Sequence, residues 1–166
     1  MPKREASTPA TVALSRAGVA FTVHAYEHDP RATSYGLEAA EALGLRPEEV
    51  FKTLLAMVGA DPVVGIVPVT GSLDLKALAA AAGGRRAEMC DAATAERLTG
   101  YVIGGISPIG QRRRLPTLVD ESARALPIMY VSGGRRGLDL GLAPADLVAV
   151  TSARYAAIAR GSAASS

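Results

Sequence analysis

The sequence predicts a mixed α/β fold, with a mixed, barrel-like β-sheet core surrounded by α-helices, in a single domain spanning residues 1–166. Three observations lead there. Apolar runs of strand length are interspersed with Ala- and Leu-rich stretches that carry helix start and stop residues. Two of the runs, Val50–Val58 and Val63–Val69, are joined by Gly59-Ala60-Asp61-Pro62, a hairpin that forbids a purely parallel sheet. With 49% apolar and 20% charged residues, a chain of 166 has the composition of an ordinary globular domain. At this size roughly 68–70% of the unfolded surface is buried, so a core forms without staples.

Thr8-Pro9 reads as an N-cap and first helical position, and Gly18 stops that short helix. Val19–Tyr26 then alternates, with Val19, Phe21, Val23 and Ala25 on one face and Thr22, His24 and Tyr26 on the other, as in a half-buried strand. A polar turn, Glu27-His28-Asp29-Pro30, leads to a helix from about Tyr35 to Leu43 closed by Gly44. Pro47-Glu48-Glu49 has its acids at the positive end of a further helical turn. After the hairpin, Asp74–Ala82 reads as a helix ended by Gly83-Gly84, and Asp91 caps another that runs to Leu98 before Gly100. Gly100–Gly110 holds too many glycines for a regular element. Pro116–Asp120, Ile128–Val131 and Leu138–Leu142 are short strands, and Pro144 opens a helical region reaching about Arg160.

Composition narrows the function classes. A single Cys90 cannot form an intramolecular disulfide, and no Cys/His metal set is present. The first ten residues lack a signal-peptide core, and no run reaches the ~20 apolar residues that span a bilayer. A cytoplasmic protein without metal or cofactor is expected. The net charge of +2 hides an acidic excess between Glu27 and Asp61 and an Arg-rich stretch from Arg85 to Arg136. That asymmetry fits either a solvated surface or a basic face for nucleic acid.

Only three of the eighteen basic residues are lysines, and Lys52 lies inside the apolar run Val50-Phe51-Lys52-Thr53-Leu54-Leu55. A lysine there is costly to desolvate, so it points into a polar cavity, a cleft mouth, or solvent at a sheet edge. In a cleft, its compact charge would serve as a phosphate anchor. Gly104-Gly105-Ile106-Ser107-Pro108-Ile109-Gly110 could present backbone N–H groups to an anion or carbonyl oxygen, or could be a structural turn. It matches neither a Walker loop nor the GxGxxG of a dinucleotide site. His24 and His28 are spaced His-x3-His, but on a strand and turn rather than one helix face, which disfavours zinc. Cys90 has no His or Asn partner pattern and reads as an inert thiol. Ser107 lacks the G-x-S-x-G elbow of a hydrolase. Five tyrosines, two phenylalanines and no tryptophan leave little capacity for stacking single-stranded nucleic acid.

Taken together, the motifs resemble the YbaK/EbsC family of trans-acting aminoacyl-tRNA deacylases, relatives of the editing domain inserted in prolyl-tRNA synthetase. The matching stretches are 24–30, 50–55, 73–76, 99–108, 111–116 and Tyr130-Val131-Ser132-Gly133-Gly134-Arg135-Arg136-Gly137-Leu138-Asp139, in one order along nearly the whole chain. They are most similar to the Cys-tRNA(Pro) deacylase branch. The resemblance implies a pocket for the aminoacylated 3′ end of tRNA. Lys52, Gly104 and Asp139 would carry the reaction, while Tyr26, Tyr35, Thr53, Gly105, Ile106, Ser107, Pro108 and Ser132 would bind substrate. Position 35 is often Phe in the family, so the Tyr35 hydroxyl is a departure. The implied chemistry is release of cysteine from Cys-tRNA(Pro), and also Cys-tRNA(Cys), by attack of the substrate's own thiol, with prolyl-tRNA synthetase as a partner. The alternatives are an Ala- or Ser-tRNA deacylase of the same superfamily, and a non-catalytic module that binds the tRNA acceptor end.

Overall fold

A computed structural model describes residues 7–161. Helix α1 (Pro9–Ala17) starts at the Thr8 cap and stops at Gly18, whose φ of 69° is the left-handed conformation that favours glycine. Strand β1 (Thr22–Ala25) leads to α2 (Tyr35–Leu43), capped by Ser34 and ended by Gly44. A 3₁₀ turn at Pro47–Glu49 feeds the hairpin β2 (Phe51–Val58) and β3 (Asp61–Pro68). Then come β4 (Ser72–Leu73), α3 (Leu75–Ala81), β5 (Ala87–Met89), α4 (Ala92–Thr99) and β6 (Thr117–Asp120). The chain closes with β7 (Met129–Arg135), β8 (Leu138–Leu142), α5 (Pro144–Thr151), β9 (Arg154–Ala156) and β10 (Ala159–Arg160).

The α/β class is the expected one, and its main sheet is mixed. In the order β5-β2-β3-β6-β9, β2 pairs antiparallel with both neighbours, whereas β3–β6 and β6–β9 are parallel. The expected barrel, however, is not closed. The described strands form this five-stranded sheet, a three-stranded sheet β1-β8-β7, and a two-stranded pair β10-β4. One bridge, Val50 to Tyr130, links the two larger sheets.

Alternation along β2 and β3 sends side chains into two cores. Phe51, Leu55, Val64 and Ile66 join the larger one with Met129, Val131, Leu140 and Leu142; Ala56, Val58, Val63 and Val67 pack with Leu78 and Ile158 in the other. β8 reads Leu-Asp-Leu-Gly-Leu, so Leu138, Leu140 and Leu142 share one face and Asp139 and Gly141 the opposite face.

Three local expectations are corrected. In β1 the apolar residues Val23 and Ala25 are exposed, while His24 and Tyr26 turn inward. β1 is an edge strand, and its inner face meets the polar side of β8 instead of the core. The C-terminal helix ends at Thr151, where Ser152 takes a φ of 58°, and the chain continues as β9 and β10. One buried Asp120 oxygen accepts the N–H groups of Ile158 (3.0 Å) and Ala159 (2.9 Å), fixing that return across the sheet. β4 and β5 carry no strand signal in the sequence; both are short and owe their form to pairing with neighbours.

Candidate active site

The order of the main sheet leaves a gap beside β2. β5 covers only Ala56–Val58, so the first half of β2 has β3 on one side and no strand of its own sheet on the other. Val69 N–H donates to the Val50 carbonyl, which places Lys52 and Leu54 in register to bond toward β3. The backbone groups of Phe51 and Thr53 therefore turn toward the gap. A cavity of about 280 Å³ occupies that gap, lined by the five consecutive residues Val50 to Leu54. Its other walls are Tyr26, the 33–36 segment entering α2, Ala39, Ile103, Gly104, Ile106, Ser132 and Asp139.

The three-stranded sheet supplies the acidic wall. Asp139 of β8 lies opposite His24 of β1 and Ser132 of β7, so all three side chains share the face away from the leucines. A bulge between Ser132 and Arg135 bends β7 at this point, and the Ser132 hydroxyl accepts the Gly134 N–H at 3.2 Å. Asp139 is 6% exposed, and its carboxylate has no hydrogen-bond or ion-pair partner among the described residues. Burial pushes its carboxyl up to about 7. Tyr26 is pushed up to about 12, first by its own burial and then by the nearby charges of Asp139 and Glu38.

Lys52 supplies the opposite charge. The lysine is half-buried, and desolvation lowers its pKa. No salt bridge joins it to Asp139, so the cavity holds an ammonium and a carboxylate that do not neutralise each other. Beside Lys52, the Thr53 Oγ is buried without a hydrogen-bond partner. A buried hydroxyl of this kind costs stability unless a ligand or water completes it.

The glycine loop divides the expected residues. Gly104 and Ile106 line the cavity. Gly105, Ser107 and Pro108, expected beside them at the substrate, are not among its lining residues. Gly105 lies so close to the next turn that a Cβ would be 2.7 Å from the Arg135 Cα. Ser107 is fully buried; its Oγ accepts the Ile109 N–H and its carbonyl accepts the Gln111 amide. Pro108 lines a separate cavity behind the loop. These residues shape the loop from beneath.

Outside the cavity lining, the structure brings two further residues to the site, His28 and Arg136, the latter from a turn whose arginines were expected to meet phosphate if they acted at all. His28 Nδ1 lies 2.8 Å from Glu38 Oε1, and its ring stacks on Tyr35 with centroids 5.7 Å apart. Arg136 covers the same tyrosine, its guanidinium carbon 5.1 Å from the ring centroid. The Gly-Gly-Arg-Arg-Gly turn was the available signal for Arg136. Cys90 lies outside the cavity lining, half-buried against the larger core, and burial raises its pKa. Among the described residues no His/Cys/Asp/Glu group is arranged to hold a metal, and no helix is long and apolar enough to cross a membrane.

Residues 28–150 match the family described as the aminoacyl-tRNA editing domain. The chain belongs to that family. As an aminoacyl-tRNA editing domain it is an enzyme of the aminoacyl-tRNA deacylase class. Over 120 residues, 72% of this chain and 73% of the relative, it is 39% identical to EbsC of Enterococcus faecalis, named as a proposed Cys-tRNA(Pro)/Cys-tRNA(Cys) deacylase. Among solved structures, a proposed trans-editing enzyme for prolyl-tRNA synthetase superposes with a TM-score of 0.78 at 26% identity, covering 93% of this chain and 99% of that one. The hypothetical protein APE2540 shares the fold, with a TM-score of 0.83 at 24% identity over 92% of this chain and 100% of that one. The cavity between β2, β8 and the glycine loop falls within the part of the chain that the editing-domain family covers, apart from Tyr26.

Proposed function

We propose that this editing domain, acting as one unit over the whole chain, releases cysteine from Cys-tRNA(Pro), with Cys-tRNA(Cys) as a second substrate. The observation that carries the reading is the unpaired Lys52 and Asp139 in the lining of one small cavity, with Thr53 and its orphaned, buried hydroxyl beside them. An aminoacylated 3′ adenosine has the complementary charges: a phosphate at one end and an α-ammonium at the other. Lys52 would hold the phosphate or ribose, being a point charge with three donors. Asp139 and Ser132 would orient the α-amino group or a ribose hydroxyl, and the Gly104 N–H would face the ester oxygen.

None of the residues lining the cavity has the partners of an activated nucleophile, and the proposed reaction does not need one. The cysteinyl Sγ attacks the ester carbonyl carbon, forming a C–S bond. The bond from that carbon to the ribose oxygen breaks, and the thiol proton ends on the ribose. Cysteine departs as a cyclic thioester that water then opens. Intramolecular attack in a held conformer has an effective molarity of ~10⁵–10⁸ M, so the protein need only select the conformer and stabilise the oxyanion. Selectivity for tRNA(Pro) would come from association with prolyl-tRNA synthetase in the cytoplasm.

The test is to compare release of Cys, Ala and Ser from the same tRNA(Pro). Cysteine should leave fastest by a wide margin, because alanine has no nucleophile and serine a weaker one. Equal or faster release of Ala or Ser would assign the chain to another branch, and no release at all would leave an acceptor-end binding module. Thr53→Val removes the orphaned hydroxyl while keeping its shape. The ligand-free variant should be more stable by about 1 kcal/mol in chemical denaturation, yet its KM should rise several-fold. A KM unchanged from the wild type would remove Thr53 from the binding set.

A further inference from the structure

The glycine loop contains a peptide whose orientation the backbone alone leaves open. Gly105 N–H donates to the Val102 carbonyl at 2.8 Å, closing a β-turn with Ile103 and Gly104 at its centre. Gly104 has a φ of 87°, whereas Ile103 is not among the residues of positive φ. That combination is a type II turn. Types I and II differ by a flip of the central peptide, here the one joining the Ile103 carbonyl to the Gly104 N–H. Glycine tolerates both signs of φ, so it does not enforce either state.

A side chain from another strand makes the choice. Arg136, on the turn between β7 and β8, donates its Nε–H to the Ile103 carbonyl at 2.8 Å. Its guanidinium is braced on the Tyr35 ring, which His28 supports in turn, held by Glu38. The same carboxylate accepts the Asp29 N–H at 2.6 Å. Close packing leaves no room for drift, since a Cβ at Gly104 would be 2.8 Å from the Tyr35 ring and 2.9 Å from Arg136 Nε. In a trans peptide the N–H points opposite to the carbonyl. Fixing the Ile103 carbonyl on Arg136 therefore leaves the Gly104 N–H, which has no acceptor among the described residues, available to a ligand in the cavity.

We propose that Arg136 is a positioning residue that locks the Ile103–Gly104 peptide in the state presenting the Gly104 N–H to the substrate's ester oxygen. The flipped state would put a carbonyl oxygen where negative charge develops, opposing the reaction. Arg136 also polarises the peptide through its charge, strengthening the donor at the other end. This role rests on the deacylase reading above, while the lock itself is a property of the ligand-free protein.

The experiment uses the full chain and Cys-tRNA(Pro). Arg136→Gln and Arg136→Lys should each lower kcat about ten- to a hundredfold, at or below the cost of losing one oxyanion donor, with KM nearly unchanged. The lysine fails because it has neither the Nε donor nor the planar stack. Ethylguanidinium should restore part of the kcat of Arg136→Ala, whereas equimolar ethylammonium should not. Arg16→Ala, which removes an exposed charge on α1 outside the Arg-rich stretch, should behave as wild type. In ¹⁵N NMR of the ligand-free Arg136→Gln protein, the Gly104 amide resonance should move far more than those of Leu54 and Thr117. An unchanged kcat, a loss confined to KM, or a Gly104 amide that stays in place overturns the proposal. If the wild type itself releases no cysteine, the deacylase reading fails and the NMR result still decides the lock.

Discussion

Lys52→Ala is expected to reduce kcat/KM for Cys-tRNA(Pro) deacylation by about 10- to 100-fold while leaving the fold intact. Lys52 has no ion pair to lose in the free protein, and burial already disfavours its charge. Removing it therefore relieves a desolvation cost, and the thermal midpoint should stay level or rise slightly. What is lost is a charge-assisted contact to the substrate, worth about 1.5–3 kcal/mol. Lys52→Met, which keeps the apolar stem, should be as inactive as alanine, separating the charge from the packing. Steady-state deacylation beside a thermal melt checks both halves. Unchanged turnover in either variant would refute the anchoring role.

Asp139→Asn should produce a more stable but less active protein. Burial lifts the Asp139 carboxyl from its ordinary 3.8 to about 7. Between about pH 4 and pH 7 the folded protein thus holds a proton that the unfolded chain has released. Stability must fall as pH rises through that window, and above about 7 the full cost of a buried unpaired carboxylate remains. At about 1.4 kcal/mol per pK unit, a rise of about three units makes that cost on the order of 4 kcal/mol. Asparagine has the same shape without the charge. At pH 8 its melting temperature should exceed that of the wild type by several degrees, at roughly 2–4 °C per kcal/mol. Its stability should also lose the decline between pH 4 and pH 7. Because the ionised form is the one that would hold the α-ammonium, wild-type kcat/KM should increase with pH through about 7, and the variant should be low throughout. A variant with the wild-type pH slope of stability would place the titration elsewhere.

These two residues also show why part of the site was readable in the sequence. Lys52 interrupts an apolar strand, and such breaks of a local rule concentrate at functional sites. Asp139 keeps the regular alternation of β8, so only the family resemblance singled it out. Ser132 was likewise expected only from the resemblance, and the structure pairs it with Asp139 across β7 and β8. Gly105, Ser107 and Pro108 were expected at the substrate from the resemblance, together with Gly104 and Ile106, and of this stretch only the latter two line the cavity with Ile103. Alternation does not apply in an irregular loop, so which residue faces the cavity depends on what packs behind it. Strand alternation put Tyr26 on the face opposite the apolar residues while the resemblance put it at the substrate; it lines the cavity, because an edge strand can turn either side toward its neighbour sheet.

Sequence patterning alone determined the mixed α/β class, the β2–β3 hairpin, the helix caps and most element boundaries, since these are set by residues within a few positions of each other. It also marked Lys52 as a lysine inside an apolar run, leaving open whether it faces a cavity or solvent at a sheet edge, whereas Asp139 entered only through the family resemblance. The tertiary structure decided how the strands divide into three sheets, where β5 stops short to open the cavity, and which loop atoms face it. It alone brought Arg136 onto the Ile103 carbonyl from 33 positions away. Contacts of that range are selected by how the cores pack, and no local pattern in the chain records them.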